Sequence, residues 1–384
     1  MLELALPLIF GLTTLASVFG VFGDDDHTPD TDDGNDDIHP DEPQSEKEQI
    51  DIDPDLRGSF VGAEGPNIIT VSTETDFQTT HLWDKYEEEM TSSLEVRGGG
   101  GNDVLLLAGR GYVVRGDEGA DKIELRAASN VAVFAGADDT VLGGSGQGNY
   151  VRLDENATFT GCAGSDLVHS SSSAPTYLGD GDDTYFGMRS PLGNGHVASV
   201  VDGGGGDDHL VGSVNSENLW WEHATDHGYI SFDADTIVGG EGNDTIVGSH
   251  GDSILGGSGS DDITLVLGND PLAEGATIAD FRQGEDRVEI RYESSYLIEI
   301  KTGAVAPASY QDFQTRIDPL EGFSVLTTDG QVIARFPGAA SLTVGFCTYD
   351  TNSSSFNTID LDGNMVAIED CDIVIKSLSI SSVY

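Results

Sequence analysis

The chain has 384 residues, of which 68 are acidic and 17 basic, for a formal net charge of −51. That excess excludes a nucleic-acid-binding surface and argues against an anionic membrane as partner, because both would repel it. Three cysteines do not make a disulfide scaffold, and 50 glycines without a collagen period indicate many turns.

Residues 1–23 form a hydrophobic segment. Leu4 to Phe22 is almost wholly apolar and close to the ~20 residues that span a bilayer. Pro7, Gly11 and Gly20 weaken a helix there, Glu3 stands where a basic flank is usual, and no Ala-x-Ala cleavage site is evident. A membrane anchor, with contact through residues 4–22, and an atypical export signal both stay open. Residues 24–57 are dominated by Asp, with Glu, Pro and Thr, and read as a disordered acidic linker, too polar to offset the entropy of ordering.

Residues 58–97 read as an N-terminal cap with one degenerate repeat. Gly62-Ala-Glu-Gly65-Pro-Asn67 has a repeat frame with Asn at its sixth position, and Val71 to Glu95 breaks the period. Regular units follow over 98–268. They are clearest from Gly239 to Thr264, which reads Gly-Gly-Glu-Gly-Asn-Asp-Thr-Ile-Val, then an eight-residue unit, then Gly-Gly-Ser-Gly-Ser-Asp-Asp-Ile-Thr. The pattern is G-G-x-G-x-D-x-U-x, with U apolar, a solenoid signature. Its glycines permit positive φ, so the chain turns sharply and exposes carbonyls. The Asp adds a carboxylate to them, and hard cations such as Ca²⁺ take six to eight such oxygens. The x-U-x tail is a short strand whose middle residue (Ile246, Ile254, Ile263) points inward. One unit buries almost nothing alone, so units must stack.

Two units make a coil, so turns on one edge recur about every 18 residues, twice the nine-residue repeat. Asp244 and Asp261 then share one edge, and Asp235 and Asp252 the other. The ten aspartates in frame are Asp103, Asp121, Asp139, Asp166, Asp183, Asp208, Asp235, Asp244, Asp252 and Asp261. The units beside the first three carry Tyr112 and Asn130 at the aspartate position, so ions are expected on one edge there. Gly148 stands where a carboxylate belongs. Ser170 to Thr176 and Gly187 to Ser199 read as loops leaving the roll.

On these motifs the stretch from Gly98 to Thr264 resembles the RTX (hemolysin-type calcium-binding repeat) family. The resemblance implies a secreted all-β protein, a parallel β-roll with a calcium ion between stacked turns. The metal ligands would be the ten aspartates, with turn glycines such as Gly99, Gly101, Gly240, Gly242, Gly257 and Gly259. It also implies an extracellular location and export by type I secretion machinery that reads an uncleaved C-terminal signal.

Residues 269–384 read as a C-terminal β-rich capping and secretion region. Ala276 to Ile290 resembles the family's roll-closing segment, with Phe281 over the end of the core and Asp280 and Asp286 as either ligands or caps. Asp329-Gly330 and Asp362-Gly363 signal hairpins. Cys347 and Cys371 could pair. No motif here carries an assignment of catalysis. His223 and His227 have zinc spacing, but Ala224 and Thr225 leave out the general base of His-Glu-x-x-His. No Gly-x-Ser-x-Gly elbow is present, and the frame already explains Gly251-Asp252-Ser253. Two functional classes stand: a non-enzymatic calcium-binding surface or secreted protein, and a carbohydrate-active or hydrolytic enzyme with its site in the loops near His196, Trp220, Trp221 and His223. A β-helix held without calcium is the third, disfavoured reading. The surface ligand stays unspecified.

Overall fold

The computed structural model describes residues 48–53, 56–74, 94–146, 148–188, 198–212, 234–268, 274–293, 309–350 and 355–378. All belong to the unit Ser45–Tyr384. Their regular structure is strand, apart from short 3-10 turns at Tyr310–Asp312 and Ile368–Asp370. The strands form two long sheets and alternate between them along the chain. In the first sheet, every pairing from Glu48–Asp51 to Ala276–Ile278 is parallel. In the second, the same holds from Gly58–Val61 to Arg287–Glu293. The chain is an all-β parallel β-roll.

Register places the apolar U residues in columns between the sheets. Ile69, Leu105, Ile123, Val141 and Phe159 are successive partners in the first sheet. Val168, Tyr185, Leu210, Ile246, Ile263 and Val288 are successive partners in the second. All are buried in one core. Each such side chain contributes about 1.5–3 kcal/mol when covered from both neighbouring coils, which is why no coil stands alone.

Successive rungs lie 17 or 18 residues apart in plain coils and 25 or 36 where a coil carries an insertion. The 17-residue coils arise where a unit is shortened to eight. Ser170–Thr176, expected to leave the roll, stays inside it: Phe159 pairs with Thr176 in register. Hydroxyls replace the Gly/Asp turn. Ser172 Oγ donates to Ala157 O (2.8 Å) and accepts the Ala174 N–H (3.0 Å), while Ser170 Oγ accepts the Ser172 N–H (3.1 Å). Residues 189–197 and 213–233 lie outside the described residues, and with them His196, Trp220, Trp221, His223 and His227.

Part of the stretch read as a disordered linker is a strand. Glu48–Asp51 pairs with Asn67–Glu74, and Ile50, Ile52 and Leu56 close the core at that end. At the other end the expected β-rich cap extends both sheets rather than forming a separate layer. Ala276–Ile278 pairs with Val332–Phe336, which continues antiparallel through Gly322–Thr327 to Phe313–Asp318. Arg287–Glu293 pairs with Ile373–Leu378, then Val344–Asp350, and antiparallel Ser355–Asp360 and Met365–Val366 follow. Both Asp-Gly hairpins are therefore present. Phe281 packs edge-on against Phe336 at 5.5 Å and against the core, which continues into the added strands rather than ending beneath it. Cys347 and Cys371 do not pair, because Cys347 lies opposite Lys376 while Cys371 Sγ contacts Ala367 O in the bend before Ile373. Among the described residues no helix is long and apolar enough to cross a membrane; residues 4–22 lie outside them.

Candidate metal centre

Each in-frame aspartate stands at the corner where a turn enters its strand. Its Oδ1 accepts the main-chain N–H of the corresponding residue one coil earlier. On the edge that feeds the first sheet, Asp103 accepts from Asn67 (2.7 Å), Asp121 from Asp103 (2.7 Å) and Asp139 from Asp121 (2.8 Å). The run stops where Ala157 takes the position, and resumes as Asp235 accepts from Ser199 (2.7 Å) and Asp252 from Asp235 (2.9 Å). On the opposite edge Asp166 accepts from Asn149 (2.7 Å), Asp183 from Asp166 (2.6 Å) and Asp208 from Asp183 (2.8 Å). Asp244 then accepts from Asp208 (2.9 Å), Asp261 from Asp244 (3.0 Å) and Asp286 from Asp261 (3.3 Å). Asp244 and Asp261 thus share one edge, and Asp235 and Asp252 the other.

The second carboxylate oxygen decides what these ladders can do. Oδ2 of Asp121, Asp183, Asp208, Asp244 and Asp261 is buried and has no hydrogen-bond partner, though at Asp261 the Arg282 guanidinium stands 3.7 Å away. A buried carboxylate oxygen without a donor is costly, and the next rung is only about 4.8 Å away. Burial, with neighbouring carboxylates adding to it, pushes Asp121, Asp183 and Asp208 up to about 7 and Asp244 up to about 6. Burial also raises Asp166 and Asp139 to about 6 and Asp252 to about 7. At Asp139 and Asp252 a shortened turn supplies a donor to Oδ2: the N–H of Gly136 (2.7 Å) or of Ser249 (2.5 Å).

The glycines bring further oxygens to the same place. Gly99, Gly101, Gly240, Gly242, Gly257 and Gly259 all have φ between 98° and 140° or close to it, in the left-handed region. Stacked glycines touch: a Cβ at Gly257 would overlap Gly240 O, and one at Gly259 would overlap Gly242 O. These carbonyls therefore face the next coil. The first glycine of the unit leaves room for the carboxylate, since a Cβ at Gly239 would overlap both Asp244 Oδ2 and Gly256 O. Among the described residues no three His, Cys, Asp or Glu side chains form a metal-holding group. Each turn offers instead one carboxylate among main-chain carbonyls, an all-oxygen donor set that fits a hard cation.

Two degenerate units are shifted by one residue. Asn149, not Gly148, holds the ladder position, and its Oδ1 faces the N–H of Val131 at 3.3 Å. Val131, not Asn130, fills the preceding rung; Asn130 takes the left-handed conformation (φ 53°) one residue earlier. Tyr112 fills the rung before that, buried, its hydroxyl donating to Ala108 O at 2.9 Å. Asp166 Oδ2 lies beside Cys162 Sγ at 3.9 Å. At the last turn Asp280 acts as a cap, accepting the N–H groups of Gly256 and Gly257 at 2.9 Å each. Asp286 continues the ladder while accepting the Arg282 N–H at 2.7 Å. The Asp-x-U frame of Asp286-Arg-Val288 was the signal available for that last rung.

The fold and these edges define a parallel β-roll with carboxylate-ended turns. Comparison with models of known families found no match, and comparison with curated proteins found none.

Proposed function

We propose that the chain is a calcium-binding protein of the RTX type, exported and extracellular, whose roll consolidates when Ca²⁺ enters the turns. The observation that carries this reading is the buried, donor-free Oδ2 of Asp121, Asp183, Asp208 and Asp244, set among carbonyls exposed by left-handed glycines. A cation supplies what these oxygens lack. In calcium-poor cytosol the carboxylates repel and the repeats stay loose, which suits passage through a type I export channel. Outside, extracellular modules bind Ca²⁺ with Kd on the order of 10⁻⁴–10⁻³ M. Each ion specific to the folded form adds RT ln(1 + [Ca²⁺]/Kd), about 1.4 kcal/mol at tenfold excess. The role is that of a non-enzymatic surface or secreted protein.

The test is far-UV circular dichroism of the full chain, stripped of metal and titrated with CaCl₂, with MgCl₂ as control. A cooperative gain of β signal in the high-micromolar to millimolar range, absent with Mg²⁺, is the expected result. A spectrum indifferent to calcium would remove the proposal and favour a β-helix held by stacking alone.

A further inference from the structure

Arg282 lies just beyond the last regular turn, Gly256 to Asp261. Its Nη2 donates to Gly257 O and to Gly259 O, the latter at 3.0 Å. The same nitrogen stands 3.7 Å from Asp261 Oδ2 and 3.8 Å from Asp286 Oδ1. One coil earlier the corresponding oxygens are Gly240 O, Gly242 O, Asp244 Oδ2 and Asp261 Oδ1. There Asp244 Oδ2, which like Asp261 Oδ2 has no hydrogen-bond donor, is given no such ion-pair partner among the described residues, and the two carbonyls face the next coil. The guanidinium nitrogen thus occupies, at the end of the ladder, the position the upstream turns leave for a cation.

We infer that Arg282 is a built-in cation that closes the terminal metal position, so that the Asp261 turn takes no Ca²⁺ while the Asp208 and Asp244 turns do. This rests on the calcium reading above. A guanidinium is a planar cation with several donors: Nη2 gives its two N–H bonds to the two carbonyls, and its positive charge faces the Asp261 carboxylate at ion-pair distance. Its main-chain N–H is tied to Asp286, and Asp280 holds the N–H groups of Gly256 and Gly257. The last turn therefore carries its own cation, whose charge faces Asp261 Oδ2 at 3.7 Å although no hydrogen bond reaches that oxygen. It gives the roll a C-terminal end that is formed before calcium arrives and on which metal-dependent coils can stack.

Calorimetric titration of the native full chain and of Arg282→Ala with CaCl₂ tests this, with circular dichroism confirming that the variant folds at saturating calcium. The variant is expected to bind one ion more than the native chain. If the native chain binds several ions and the variant gains none, the calcium reading stands and the role of Arg282 falls. If the native chain binds none, the calcium reading falls and the role of Arg282, which rests on it, falls with it. A measurement on the native chain serves should the variant not fold. Amide exchange is expected to slow about tenfold on adding tenfold-excess calcium at Asp208 and Asp244, and less than about twofold at Gly257 and Asp261. Equal slowing at all four amides would overturn the inference.

Discussion

Asp244→Ala is expected to destabilise the roll with or without calcium, whereas Asp244→Asn should cost stability only when calcium is present. Asp244 is buried between two rungs: its Oδ1 accepts the Asp208 N–H at 2.9 Å, and its own N–H donates to Asp261 at 3.0 Å. Alanine orphans the Asp208 N–H, which costs about 1–3 kcal/mol. It also removes a ligand, a further loss of about 1.4 kcal/mol per ion at tenfold excess. Asparagine keeps the acceptor and replaces the donor-free Oδ2 with an amide that can face the turn carbonyls. The chain already contains such a rung. At the degenerate first unit Asn67 Nδ2 donates to Gly65 O at 2.6 Å and Ala63 O at 3.2 Å. Urea denaturation should therefore rank the three proteins, in metal-free buffer, as Asp244→Asn at or above native and Asp244→Ala below. In calcium the native chain should be first. Equal losses for both variants in metal-free buffer would mean that the native carboxylate is not short of a cation.

The pH dependence of stability should reverse between metal-free and calcium-loaded protein. In the metal-free roll, burial and neighbouring carboxylates hold Asp121, Asp183 and Asp208 near 7, and burial places Asp139, Asp166 and Asp244 near 6. In the unfolded chain an aspartate titrates near 3.9. Between those values the folded state carries more protons than the unfolded one, so stability falls as pH rises. The protonated ladder keeps its full contribution below about pH 4 and loses it as pH climbs through 6 to 7. With calcium, ion and proton compete for the same oxygen, so acid raises the calcium midpoint as pH drops through 7 to 6. Urea midpoints at pH 5 and pH 8, in resin-stripped buffer and in excess CaCl₂, should move in opposite directions. A metal-free roll that gains stability from pH 5 to pH 8 would show that its ladder carboxylates are charged and already satisfied.

What could be read from the sequence follows from which interactions have a fixed period. The U residues and the sixth-position aspartates recur with the coil, so the two sheets, the shared edges and the pairing of Asp244 with Asp261 were legible from spacing. Where a unit gains or loses a residue, the frame slips without any change of composition. That is why Asn149 and Val131, rather than Gly148 and Asn130, hold their rungs. The serine turn at Ser170–Thr176 lacks glycine and looks like an excursion, yet its hydroxyls do the work of the missing main-chain geometry. Ile50, Ile52 and Leu56 were hidden among acidic residues, too few to outweigh the charge around them. Arg282 was illegible for another reason: its partners are main-chain carbonyls 23 and 25 residues back, and carbonyls leave no mark in a sequence.

The most direct test of the account is the position of calcium itself. Long-wavelength anomalous diffraction from crystals grown in CaCl₂ is expected to place a calcium peak beside Asp244 Oδ2, between the Gly239 and Gly256 turns. Further peaks should lie beside Asp121, Asp183 and Asp208, and none beside Asp261, where Arg282 stands. A fully formed roll in millimolar calcium with no anomalous peak along either ladder would contradict the calcium-binding role.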